Sequence, residues 1–100
     1  MIALGIDPGI GITGYGVVRE LPSGEIELVA YGVIETPPNS PLPQRLQQIY
    51  KGVREVIALH RPETSAVEKL LFGKNVTTAM AVGQARGVTV LALADCGLQI

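Results

Sequence analysis

The chain opens on an apolar run, Ile2-Ala3-Leu4-Gly5-Ile6, that ends on a single acid, Asp7. A continuous apolar run of this length predicts a strand buried on both faces. Pro8, Gly9 and Gly11 stop that strand and let the chain fold back. Thr13 to Glu20 reads as a second strand, paired with the first as a hairpin. Pro22-Ser23-Gly24 makes the next turn, and Glu25 to Glu35 predicts a long third strand. Its polar–apolar alternation is clean at Glu25-Ile26-Glu27-Leu28 and blurred at Val29-Ala30. Three strands so connected form an antiparallel meander, which needs a cover on at least one face.

The period then changes from two to between three and four. Thr36 to Pro43 is a loop, because Pro37, Pro38, Pro41 and Pro43 exclude regular structure there. Pro43 suits the first position of a helix. Leu46, Ile49, Tyr50, Val53, Val56, Ile57 and His60 follow at helical spacing and make one buried stripe. Gly52 inside that helix costs about 1 kcal/mol against Ala and so marks a close contact. Arg61-Pro62 ends it. Thr64 to Glu68 reads as a fourth strand. A strand, a crossover helix and a strand imply parallel pairing with a right-handed connection. The free side of the first strand is the place for the fourth. Asn75 caps a second helix running to about Asp95, although Val88-Thr89-Val90 is β-branched and weakens that reading. Val76, Met80, Gly83, Gly87, Leu91 and Ala94 share one stripe of it, suited to close approach by the first helix or by a second copy of the protein. Cys96-Gly97 ends the helix, and Leu98-Gln99-Ile100 begins a fifth strand, so the domain reads as truncated at its carboxyl end.

Candidate chemistry falls out of this topology. Asp7 and Glu68 both end neighbouring parallel strands at their carboxyl ends, where ligand sites gather in open sheets. Adjacent strands are about 4.8 Å apart. Two carboxylates that close repel unless one is protonated or a cation lies between them. A hard divalent cation such as Mg2+ takes oxygen ligands of this kind. The competing readings are that Asp7 caps its turn by accepting backbone N–H bonds and that Glu68 pairs with Lys69 or Lys74. His60, the only histidine, lies in the last helical turn, which suits a capping or surface role better than catalysis. The loop Leu70 to Asn75 sets Leu71 and Phe72 beside Lys69 and Lys74. An apolar tip flanked by cations can wedge against a base while Lys meets phosphate; equally, Phe72 or Leu71 can cap the core.

Composition narrows the class. The chain has 100 residues, enough for one small domain. Its 47% hydrophobic and 4% aromatic content means an aliphatic core. A net charge of −1 excludes a protein that coats nucleic acid non-specifically. The charge is uneven, however. Residues 1–68 carry a balance of −3, whereas residues 69–94 hold Lys69, Lys74, Arg86 and no acid. That cationic segment directly follows Glu68. Cys96 is the only cysteine, so no internal disulfide forms, which fits a reducing compartment; small core filler is its expected role. With no signal peptide and no apolar stretch of membrane-spanning length, the expectation is a soluble cytoplasmic protein.

Taken together, Gly5-Ile6-Asp7-Pro8-Gly9 with Thr13-Gly14-Tyr15-Gly16, Arg45-Leu46 with Ile49-Tyr50, Val67-Glu68, and Lys74-Asn75 through Gly83-Gln84-Ala85-Arg86-Gly87 resemble the amino-terminal part of the RuvC-type Holliday junction resolvases. These motifs span essentially the whole chain. The resemblance implies a ribonuclease H-like α/β fold, a mixed sheet of a three-stranded antiparallel meander plus parallel strands, flanked by helices. It implies a metal-dependent endonuclease that resolves Holliday junctions by symmetric phosphodiester hydrolysis during DNA recombination and repair. Two Mg2+ ions, or Mn2+, would be held by four carboxylates, of which Asp7 and Glu68 match the first two in metal-binding and catalytic roles. The other two acids lie on a carboxyl-terminal helix that this chain does not reach, and Asp95 sits in the wrong element to replace them, so residues 1–100 alone are expected to be inactive. Nucleic-acid contacts fall to Lys69, Leu71, Phe72, Lys74 and Asn75. The resemblance places an aromatic wedge at Leu71, which is aliphatic here and followed by Phe72. The implied partners are a four-way DNA junction, a second copy in a homodimer joined through the Gly83 and Gly87 stripe, and the RuvA and RuvB branch-migration complex. Two other readings remain open at this point: a non-catalytic junction-binding or dimerisation module of the same fold, and a sugar-kinase or actin-like phosphate-binding domain.

Overall fold

The computed structural model describes residues 1–69 and 76–100. Strands β1 (Ile2–Asp7), β2 (Ile12–Glu20) and β3 (Ile26–Glu35) form the antiparallel meander. Helix α1 (Leu42–His60) crosses over to β4 (Thr64–Val67), which pairs parallel with β1. The sheet order is β3-β2-β1-β4, and α2 (Val76–Asp95) completes the described fold.

Both helices lie on one face of the sheet. Leu4, Ile6 and Val17 from the strands meet Ile49, Val53 and Val56 of α1 and Ala85, Ala92 and Leu93 of α2 in one buried cluster. Full burial of each Leu, Ile or Val contributes about 1.5 to 3 kcal/mol. The apolar opening run does not become a strand buried on both faces. Leu4 and Ile6 are buried while Gly5 and Asp7 are exposed, because nothing among the described residues covers the second face.

Local sequence accounts for the irregularities. The blurred alternation in β3 is a β-bulge: Val17 pairs with Ala30 and Val18 with Leu28, which leaves Val29 as the extra residue. Pro41 caps α1 and Pro43 stands in its first turn. Arg61 ends that helix in the left-handed region at φ 49°, donating its N–H to Ile57 O at 2.8 Å, and Pro62 prevents continuation. Gly52 is a close contact: a methyl group there would lie 2.8 Å from Ile34 Cγ2.

Helix α2 continues through its β-branched triplet, with Thr89 buried and its hydroxyl satisfied by Ala85 O at 2.9 Å. Its end is a Schellman turn: Gly97 takes φ 74°, its N–H bonds Ala94 O at 2.9 Å, and the Leu98 N–H bonds Leu93 O at 3.0 Å. The face carrying Ala85, Thr89, Ala92 and Leu93 packs inward. Of the predicted stripe, Met80, Gly87, Leu91 and Ala94 are exposed and Gly83 is half-buried. Cys96 is half-exposed in the closing turn rather than a core residue. The start of a fifth strand is present as a parallel bridge between Gln99 and Thr64. Ser65 donates to Gln99 O from its backbone N–H at 2.9 Å and its hydroxyl at 2.8 Å.

Candidate active site

The β1–β4 register runs Ala3↔Thr64, Leu4↔Ser65, Gly5↔Ala66 and Ile6↔Val67. Asp7 and Glu68 are the next pair along it. The Glu68 N–H donates to Ile6 O at 2.9 Å, so the ladder holds its backbone although β4 ends one residue earlier. Side chains alternate across a strand. Leu4 and Ile6 point into the core, so Gly5 and Asp7 point to the uncovered face, and Ala66 and Glu68 share that face by the same alternation. There the two acids border an open concavity of about 430 Å³, floored by Gly5, Gly14, Gly16 and Ala66. Small residues leave the carboxylates standing proud of the sheet.

The turn after Asp7 is held by buried threonines. Gly9 is sterically required, since a Cβ there would lie 2.2 Å from Ile12 O. Thr13, fully buried at the start of β2, donates its hydroxyl to Gly9 O at 2.8 Å and accepts the Gly9 N–H at 3.2 Å. Thr36, just past β3, donates its hydroxyl to Ile10 O and its N–H to Gly11 O at 3.0 Å. The carbonyls of Gly9, Ile10 and Gly11 are thereby satisfied, and the Gly9 N–H, a donor that an Asp7 cap could accept from, is taken by Thr13. Arg45, in the first turns of α1, donates Nε to Thr36 Oγ1 at 3.0 Å. Across the site, Arg86 of α2 donates Nε to Glu68 O at 3.2 Å.

The acids feel each other directly. A side-chain hydrogen bond with Asp7, and then repulsion from its charge, holds the Glu68 carboxyl above its ordinary range. Glu68 is thus engaged with Asp7 and makes no ion pair with Lys69. Two oxygen donors meeting on an open face fit a hard divalent cation. Among the described residues no group of three or more metal-ligating side chains forms, so the pair is an incomplete cage.

The remaining expectations sort by position. Lys69 is exposed, immediately beyond Glu68. Leu71, Phe72, Lys74 and Asn75 lie outside the described residues. His60 is at the far end of α1, near the edge where Glu63 bonds Ile2, away from both acids. Asp95 accepts a hydrogen bond from Tyr50 and takes no part in the site. Reading by motif gave no role to Thr13, Thr36, Arg45 or Arg86. Thr13, Arg45 and Arg86 stood within the motifs that carry the resemblance, and Arg86 also in the cationic segment, whereas Thr36 left no signal beyond its polarity.

A four-stranded mixed sheet with helices on one face and paired acids at the ends of adjacent parallel strands defines a ribonuclease H-like α/β domain. The family model of crossover junction endodeoxyribonuclease RuvC matches residues 3–100. A relative of that name from Chloroflexus aurantiacus is 52% identical over all of this chain, which spans 60% of that relative's length. Another from Pelotomaculum thermopropionicum is 51% identical, again over the whole chain and 60% of the relative. The solved structure of Thermus thermophilus RuvC in complex with Holliday junction substrate superposes with a TM-score of 0.89 at 36% identity, covering 98% of this chain and 59% of the other. The chain belongs to the RuvC family, which sets aside the sugar-kinase and actin-like reading.

Proposed function

We propose that these 100 residues are the amino-terminal part of one nuclease domain, and that the intact protein resolves Holliday junctions by symmetric, metal-dependent phosphodiester hydrolysis in DNA recombination and repair. The observation that carries this reading is the meeting of Asp7 and Glu68 on the uncovered face. Names and lengths of the relatives support it: they are crossover junction endodeoxyribonucleases, and this chain spans 60% of their length.

Asp7 and Glu68 are the residues that would hold the cation, Mg2+ or Mn2+, with further carboxylates from the remainder of the protein completing a two-ion site. When bound, such ions lower the pKa of the attacking water and stabilise the oxygens that enter and leave. Asp7 would bridge the ions, and Glu68 would hold one and orient the water. Lys69 and Lys74, with Asn75 and an apolar wedge from Leu71 or Phe72, would guide the junction to the acids, since this segment concentrates the chain's positive charge. The exposed Met80, Gly87, Leu91 and Ala94 stripe of α2 suits a two-fold dimer, and two symmetric nicks require two identical sites. A DNA substrate and association with RuvA and RuvB, as the family implies, would place the protein in the cytoplasm. No helix among the described residues is long and apolar enough to cross a membrane.

The test is Asp7→Asn in the intact protein, with junction binding and cleavage measured separately. Binding is expected to persist. Cleavage should fall by more than about 100-fold, beyond the range typical of losing a partner that merely orients a ligand. Retained cleavage would remove Asp7 from the reaction.

A further inference from the structure

Each acid of the pair has an arginine behind it, one from each helix, and neither arginine is directed at a carboxylate. Arg45 of α1 donates to Thr36 Oγ1 at 3.0 Å, and Thr36 in turn donates to Ile10 O in the turn that follows Asp7. Accepting from a guanidinium leaves the Thr36 hydroxyl proton free to point at that carbonyl, and a chain of such bonds strengthens each member. Arg86 of α2 donates to Glu68 O at 3.2 Å. Strand β4 ends at Val67, so this carbonyl lies beyond the β1–β4 ladder and Arg86 supplies its donor.

These bonds matter because the sheet alone does not fix the carboxylates. Both acids stand at strand ends, where the ladder constrains only one side. Their side chains rise from a floor of Gly5, Gly14, Gly16 and Ala66 that offers nothing to pack against. Once both are ionised, the two carboxylates repel and, left to themselves, would spread apart. A cation site needs its oxygens held at a set separation before the ion arrives.

We propose that Arg45, through Thr36, and Arg86 are positioning residues that set the spacing of the Asp7 and Glu68 carboxylates by holding the Ile10 carbonyl in the turn after Asp7 and the carbonyl of Glu68 itself. This rests on the metal-dependent reading above and goes beyond it by assigning the geometry to the two helices. Both arginines act through the guanidinium Nε: that of Arg45 reaches the Thr36 hydroxyl and that of Arg86 the Glu68 carbonyl, which a lysine ammonium, at the tip of a flexible stem, does not address in the same way.

The discriminating variants are Arg86→Lys and Thr36→Val, with Thr36→Ser as rescue. Arg86→Lys keeps the charge and removes the Nε donor. Thr36→Val keeps the shape and removes the hydroxyl, whereas Thr36→Ser retains it. Mn2+ binding to this chain is followed by paramagnetic broadening of the Asp7 and Glu68 resonances. Junction cleavage is followed in the intact protein. Arg86→Lys and Thr36→Val are expected to weaken Mn2+ binding about 10-fold and to lower kcat with KM for the junction unchanged, while Thr36→Ser stays near the parent. Folding is checked by the amide spectrum, and Thr36→Ser carries the comparison on its side of the site if Thr36→Val fails to fold. Unchanged Mn2+ affinity in folded Arg86→Lys and Thr36→Val overturns the proposal, as does a rise in KM alone, which would make Arg86 a DNA contact. If the parent chain itself shows no broadening that Glu68→Gln abolishes, the metal-site reading fails, and kcat of the intact Arg86→Lys and Thr36→Val proteins decides the positioning role: an unchanged kcat overturns it.

Discussion

The two faces of the sheet are built to opposite rules. Toward the helices, β1 and β2 present Leu4, Ile6 and Val17, all buried in one aliphatic cluster. Away from them, the same strands present Gly5, Asp7, Gly14 and Gly16, and β4 adds Ala66 and Glu68. Large side chains on one face supply stability through burial. Small ones on the other leave room, and the two acids stand over that room. A glycine in a strand costs stability, and Gly5 and Gly16 gain nothing in return among the described residues, since a Cβ at either would meet none of their atoms within 4 Å. The open face is therefore shaped for something to approach it closely rather than for the packing of these residues.

That contrast is open to attack from each side. The largest effect on folding is expected at the covered face: Leu4→Ala should cost about 2 to 5 kcal/mol, read by denaturant unfolding, and leave Mn2+ binding unaltered while the variant remains folded. Gly52→Ala probes the seam between α1 and β3. Its methyl would collide with Ile34, an overpacking cost of about 1 to 3 kcal/mol set against a gain of about 1 kcal/mol in helix propensity. A net loss is expected in the same measurement. Gly16→Ala on the open face should do the reverse and stabilise this chain by about 0.5 to 1 kcal/mol. A destabilisation there would mean that the open face is packed after all.

The smallest effect is electrostatic. Glu68 is raised above its ordinary value by its hydrogen bond with Asp7 and by repulsion from it. The folded chain therefore binds more protons than the unfolded one in the window between the ordinary and the raised value. Stability from this group is fully present below that window and is lost as pH rises through it. Thermal unfolding of the metal-free chain should drift down across that window, and Glu68→Gln should flatten the drift. Protons and metal compete for the same oxygens, so Mn2+ affinity should rise over the same interval.

Much of this was legible in residue pattern. The strand and helix order, the parallel return of β4 beside β1, the loop imposed by four prolines and the ends of both helices follow from local chemistry that acts within a few residues. Even the bulge at Val29 left its mark as broken alternation. Asp7 and Glu68 could be paired because strand order and register are discrete, so few arrangements bring two strand ends together. Which stripe of α2 faced inward was not legible in the same way. That helix is apolar nearly all round, and periodicity cannot choose between an aliphatic face and an Ala-Thr face when both are uncharged.

The amino-acid order by itself determined the elements, their sequence in the sheet and the identity of the two acids, because backbone dihedral preference and side-chain alternation are short-range. Only the tertiary structure decided that one face of β1 stays open, that Thr13 and Thr36 bond the turn beside Asp7, and that Arg45 reaches the Thr36 hydroxyl and Arg86 the Glu68 carbonyl from two separate helices. Those outcomes depend on bonds between residues as many as 26 positions apart, whose geometry exists only once the helices have docked. Sequence spacing carries no direct record of such distances.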